Sequence, residues 1–239
     1  MRDNKIFLMI QGHEIWLEEP ASENGDVVLS LVYGHNMHQD GMADSKRLSA
    51  FVYSEDGSNR ELEIIPGDDR HLLKFKADRD GYHIVVADMG SIVFSQTKDG
   101  YKTGPKSQFK DVIYAGAFHQ MAKIIIATGS TGRFEGKLEH GILEIVPKEP
   151  HCTVGREIEL QVFYEGKPLG GTEVKAVSKR TEEEMALVKT DEMGMARIKV
   201  THDGDWMFLV RHRDATKKVA EAFDESVFVT SPRPEGRGF

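Results

Sequence analysis

From Ile158 to Val210 apolar and polar residues alternate with a period of two, and that pattern restricts the fold more than any other feature of the chain. A strand turns successive side chains to opposite faces, so period two buries one face of a sheet; a helix needs apolar residues three and four positions apart. Ile158 to Tyr164 alternates in this way, Val174 to Val177 resumes it, and Ala196-Ile198-Val200 and Trp206-Phe208-Val210 complete four rows. Between the rows, Glu165-Gly166-Lys167-Pro168 and Thr190-Asp191-Glu192-Met193-Gly194 carry the Gly, Pro and Asp residues of tight turns. The expectation is a small antiparallel sandwich with Trp206 in its core.

The preceding part shows the same grammar in shorter runs. Strands are expected at Ile6–Gln11, Glu14–Leu17, Val27–Tyr33, Leu48–Tyr53, Leu62–Ile65, Leu72–Phe75, Tyr82–Ala87 and Ile92–Phe94. Turn clusters such as Glu23-Asn24-Gly25-Asp26 and Asp78-Arg79-Asp80-Gly81 separate them, and this spacing points to a sandwich or barrel. Lys98 to Ser107 is polar and reads as a loop. Tyr114 to Thr128 is either one long strand or a helix–strand junction, with Ile124-Ile125-Ile126 favouring strand in its second half. Leu143 to Pro147 reads as the strand that crosses into the next domain. The expected fold is therefore all-β, two antiparallel β-sandwich-like domains in tandem. Residues 1–147 and 148–230 form the domains, and 231–239, rich in Pro and Gly, form a disordered tail.

A chain of 239 residues accommodates two cores. Its net charge of −8, with no basic stripe, argues against a nucleic-acid partner. Cys152 is the only cysteine, which excludes an internal disulfide and a thiolate zinc cluster; a metal site has to rest on His, carboxylate or Met. No apolar run approaches the ~18 to 20 residues of a membrane helix, so no direct span is expected. Ile6–Ile10, after Arg2 and Lys5, is shorter than the roughly 7-residue minimum of a signal-peptide core, and no convincing signal peptide is expected. Nucleophile elbow, phosphate loop and dinucleotide fingerprints are missing, and Gly12-His13-Glu14 lacks the second His of a zinc-protease helix. The expectation is a protein that is not an enzyme.

Ten histidines then become the main carriers of chemistry. His35 and His38 flank Asn36-Met37 in Tyr33-Gly34-His35-Asn36-Met37-His38-Gln39-Asp40, with Met42 and Asp44 close behind. Imidazole suits nickel, cobalt, copper and zinc. Solvated loop histidines are the plain alternative. By strand parity His35 extends the apolar row Leu29-Leu31-Tyr33, and His13 shares a face with Ile15 and Leu17. His119 lies beside Phe118 in the long apolar segment. His212, in a row with Trp206, reads as structural, and His71, His140, His151 and His202 read as exposed.

Several phrases together resemble the NikM-like components of nickel and cobalt uptake systems: Gly12-His13-Glu14-Ile15-Trp16-Leu17-Glu18, Tyr33-Gly34-His35, Asp80-Gly81-Tyr82, Leu143 to Pro147, Gly166-Lys167-Pro168-Leu169-Gly170-Gly171, Thr190-Asp191 with Gly194, and Gly204-Asp205-Trp206. The resemblance implies a transthyretin-like or carboxypeptidase-regulatory-like C-terminal sandwich, a periplasmic or cell-envelope location, and a membrane transporter subunit as partner. The expected function is capture or hand-over of a divalent transition metal, nickel or cobalt before zinc or copper. The candidate ligands are His35, His13, His38 and His119. The competing expectation is an interaction module that presents loops to an envelope partner and binds no metal.

Overall fold

A computed structural model describes residues 12–18, 26–77, 79–137 and 141–234. The strand expected at Ile6–Gln11 lies outside them. Among the described residues the first half contributes β1 (Glu14–Glu18), β2 (Asp26–His35), β3 (His38–Gly41), β4 (Leu48–Ser54), β5 (Asn59–Glu61), β6 (Ile64–Ile65), β7 (His71–Lys76), β8 (Gly81–Thr97), β9 (Gly100–Thr103) and β10 (Val112–Thr128). The second half contributes β11 (Leu143–Pro147), β12 (Glu157–Tyr164), β13 (Lys167–Pro168), β14 (Glu173–Ser178), β15 (Glu183–Lys189), β16 (Met195–Lys199), β17 (Trp206–Asp214) and β18 (Glu225–Arg233). The fold is all-β, and among the described residues the helical elements are two single-turn 3-10 helices, Ser45–Arg47 and Lys106–Gln108.

Three sheets result. A five-stranded sheet runs β1-β2-β7-β6 with β3 on β2, and a four-stranded sheet runs β11-β12-β13 with β16 on β12. A nine-stranded sheet, β15-β14-β17-β18-β10-β8-β4-β5 with β9 on β8, backs both of them. The period-two rows explain the layering. Ile15, Leu17, Leu29, Leu31, Leu73 and Phe75 of the first sheet face Val52, Val85, Ala87, Ile124 and Ile126 of the large one. A second core joins Ile145, Ile158, Leu160 and Ile198 to Val174, Trp206, Phe208 and Val210. Burying each large side chain contributes about 1.5–3 kcal/mol.

The outer face of the first sheet is also covered. Trp16, Val32 and Met37 pack on Val177 and Met207, so the back of β1 and β2 rests on the outer face of β14 and β17. A buried ion pair adds to the junction of the two halves: Lys123 Nζ on β10 donates to Glu144 Oε2 on β11 at 2.6 Å, with both side chains almost fully enclosed.

Several details refine or differ from the sequence reading; Leu62 and Glu63, expected in a strand, lie between β5 and β6, and β15 was not expected. Tyr82–Ala87 and Ile92–Phe94 belong to one strand, β8, because Asp88 and Met89 pair with β4 on one side and β10 on the other. Tyr114–Thr128 is strand throughout, and the segment expected as a loop after Lys98 contains β9. His71, expected at the surface, is buried, with its Nε2 2.8 Å from the Ala43 carbonyl oxygen. Finally, the disordered tail expected over 231–239 does not begin at 231. Ser231, Pro232 and Arg233 continue β18, lie buried, and pair in parallel with Ala122, Lys123 and Ile124. Pro232 is tolerated because β17 pairs with β18 only as far as Thr230, so the missing N–H falls on an unpaired side. Residues 235–239 lie outside the described residues. The β10–β18 pair is parallel, unlike the antiparallel pairs that make up the remaining ladders, and the whole C-terminal sandwich serves as its crossover.

Candidate metal site

The β1–β2 ladder sets the site. Glu14 pairs with Gly34 and Ile15 with Tyr33, so the row of core residues on these two strands runs out at the sheet end into His13 and His35. There the apolar face meets water, and the two imidazoles come together with ring centroids 4.1 Å apart. Tyr33 stacks on His13 at 4.5 Å and an interplanar angle of 6°, which fixes the ring plane.

A hairpin brings in the third group. Asn36 and Met37 both have positive φ, 52° and 63°, the left-handed pair that a two-residue hairpin turn demands. Met37 is fully buried in the Trp16 cluster, and its packing offsets the cost of that backbone conformation. In β3, Gln39 pairs with Gly34 and Gly41 with Tyr33, leaving Asp40 as the extra residue of a β-bulge. Gly34 permits the close approach, since a Cβ there would overlap the His38 carbonyl oxygen.

The outcome is a group of three possible donors, His13, His35 and Asp40, with one ligand atom from each lying within 4.8 Å of the others. His13 Nε2 is 3.1 Å from Asp40 Oδ1, and His35 Nδ1 is 2.6 Å from Asp40 Oδ2. Two nitrogen or oxygen ligands of one ion, each ~2.0–2.1 Å from it, stand about 3 Å apart, so these spacings suit a shared cation. All three side chains are 35–44% exposed, which leaves solvent access to the group. Burial, followed by the neighbouring His35 charge, holds the His13 pKa below its ordinary value against the pull of Asp40, which favours the neutral, metal-binding form of the ring. For Asp40, burial works upward, but the His35 hydrogen bond and the charges of His13, His35 and His38 outweigh it and bring the carboxyl down.

Two candidate ligands lie apart from this group. His38 directs Nδ1 to Glu182 Oε2 at 2.8 Å, and His119 Nε2 lies 2.8 Å from Asp88 Oδ1 with its ring edge-on to Phe228. Asp40 is not among the ligands expected from the sequence. It had a signal: a two-residue turn at 36–37 returns the chain so that Asp40 falls beside Tyr33 and His35.

The turn is clamped by both halves of the chain. The Asn36 N–H donates to Glu14 Oε1 at 2.8 Å, and Arg211 Nη2 donates to Glu14 Oε2 at 2.7 Å. Lys175 Nζ donates to Asn36 Oδ1 at 2.6 Å and Lys179 Nζ to the Met37 carbonyl at 2.7 Å. Strands β14 and β17 therefore hold the hairpin that carries His35 and Asp40.

The sequence model described as "Domain of unknown function (DUF4198)" matches residues 10–214. No curated protein matches the chain. Among solved structures, the chain is similar to "D0-D1 domain of Intimin", with 12% identity, 92% of this chain and 96% of that one covered, and a TM-score of 0.23. It is also similar to "Biofilm associated protein - BSP domain", with 12% identity, coverage of 93% and 30%, and a TM-score of 0.23. Among the described residues no helix is long and apolar enough to cross a membrane.

Proposed function

The chain belongs to the family described as a domain of unknown function, DUF4198, and from that premise we propose that it is a non-catalytic binding protein of the cell envelope that captures a divalent transition metal at His13, His35 and Asp40. The observation that carries this reading is the convergence of two imidazoles and one carboxylate at an exposed sheet end. Such donors suit nickel, cobalt, copper and zinc, and they suit calcium poorly. Three protein ligands leave further positions open on a four- or six-coordinate ion, which fits capture and release better than permanent structural binding. The likeness of its phrases to NikM-like transport components supports nickel or cobalt as the proposed cargo and a membrane transporter subunit as the proposed recipient.

Calorimetric titration of tag-free protein with nickel, cobalt, copper and zinc at pH 7.5 and 5.5 tests it. Wild type is expected to bind at least one of these tighter than ~100 μM. His35→Ala and Asp40→Asn should abolish that affinity, and His119→Ala should leave it unchanged. Imidazole binds metal only when neutral, so affinity should drop at pH 5.5. No binding by wild type at pH 7.5 would leave the non-metal interaction module as the better reading.

A further inference from the structure

Beside the metal group lies a polar groove of about 360 Å³ between the β2–β3 turn and the outer face of β14, β15 and β17. His35 belongs to both: it is one of the three metal donors and it lines the groove with Asn36, Lys175, Glu184 and Arg211. The cations there are not equivalent. Arg211 is engaged by Glu14 and by the Gly12 carbonyl. Lys175 gives one N–H to Asn36, and its nearest carboxylate, Glu14, stands at 4.0 Å, beyond hydrogen-bond reach. An ammonium has three N–H donors, so two of them lack a protein acceptor among the described residues, although the side chain is only 21% exposed. A half-enclosed, underused ammonium one residue from a metal donor calls for an anion. Glu173 and Glu184 line the same groove and would accept hydrogen bonds from an amine.

We propose that this site takes its metal as a complex with a small carboxylate chelator of amino-acid type, the ion held by His13, His35 and Asp40 and the chelator lying in the groove with its carboxylate on Lys175. The inference rests on the metal reading above and deepens it. The three protein donors leave coordination positions that a bidentate amino-carboxylate fills through its neutral amine and one carboxylate oxygen, which leaves the other oxygen to accept from Lys175 and the amine N–H groups to donate to the groove carboxylates. Bare aqueous ions would fill the same positions with water and leave two of the Lys175 N–H groups without an acceptor on the chain.

Equilibrium dialysis of the full tag-free chain separates the two readings. The probes are nickel alone, nickel with one equivalent of labelled L-histidine, and nickel with labelled citrate. Labelled histidine is expected to be retained one-to-one with nickel, not without nickel, and more strongly than citrate, which has no amino group for the groove carboxylates. Lys175→Met should lower histidine retention at least tenfold relative to the nickel bound by the same variant. Should Lys175→Met also lose nickel because the hairpin clamp is weakened, Glu184→Gln decides, with lower histidine retention expected and unchanged retention overturning the inference. Histidine retained no better with nickel than without it, or equal histidine retention by Lys175→Met, overturns the inference and leaves the metal site standing. Failure to retain nickel in every arm overturns both.

Discussion

Trp206 and Asp214 mark the two ends of β17 and show how single residues hold the second sandwich. Trp206 is 1% exposed, sits in the core with Phe208 and Val210, and donates its Nε1–H to the His202 carbonyl at 3.2 Å. Truncation would open a cavity between the two sheets, so Trp206→Ala should cost roughly 3–5 kcal/mol in a urea titration. At the other end Asp214 accepts from the hydroxyls of Thr216 and Tyr164, at 2.5 and 2.6 Å, and ties β17 to the end of β12. These hydrogen bonds, Thr216 first and Tyr164 next, hold its carboxyl far below the ordinary value. A depressed carboxylate stabilises the fold above its unfolded pKa of about 3.9 and loses that contribution as pH falls through the folded value. Wild type should therefore lose more melting temperature than Asp214→Asn between pH 5 and pH 2.5, and parallel curves would remove Asp214 from the acid sensitivity.

At the scale of elements, the β2–β3 hairpin is where fold and function meet. Its geometry depends on three local features: the left-handed Asn36-Met37 pair, the bulge at Asp40, and the absence of a side chain at Gly34. Gly34→Ala would push the His38 backbone away and carry Asp40 with it. The expected outcome is a metal affinity reduced at least tenfold in calorimetry with β-type circular dichroism retained, because β1, β2 and β7 pair independently of β3. Wild-type affinity in this variant would show that the bulge does not position the carboxylate. His35, at the end of an apolar row, was legible as a candidate from parity alone. Asp40 was less so, because a bulge shifts register without any distinctive residue to announce it.

For the whole molecule, the arrangement of strands bears on where the chain divides. Leu143 and Ile145 of β11 pack in the second core, while β18 returns to pair with β10 of the first half. The boundary expected at 147 falls after β11, which belongs to the second core; we propose two units that divide before β11, and the fragment that tests this is 141–234, which keeps β11 with its sheet. It is expected to fold with β-type circular dichroism and cooperative melting, but at a lower temperature than the full chain. Removing β10 strips β18 of a neighbour and exposes Ser231 and Arg233, whose side chains reach Ile15 and Leu17 carbonyls. A fragment without cooperative melting would show that the halves fold only together.

The sequence by itself determined the class of structure: alternation specified strands, Gly-, Asp- and Pro-rich clusters specified turns, and parity specified which faces are buried, all of them consequences of neighbours along the chain. It also singled out His13 and His35. What only the tertiary structure decided depends on partners remote in sequence. The parallel joining of β18 to β10 recruits Ser231–Arg233, whose Pro-containing composition resembles a tail, and it requires a partner strand about 110 residues away. The same holds for the site. His38 and His119 are locally as suitable for a metal as His35, and each also meets a carboxylate, Glu182 or Asp88, but among the described residues no second imidazole joins either pair as His13 joins His35 and Asp40. Lys175 gives no sign in the sequence of lying beside Asn36, since that contact spans 139 residues and exists only because the back of one sheet packs on the face of another.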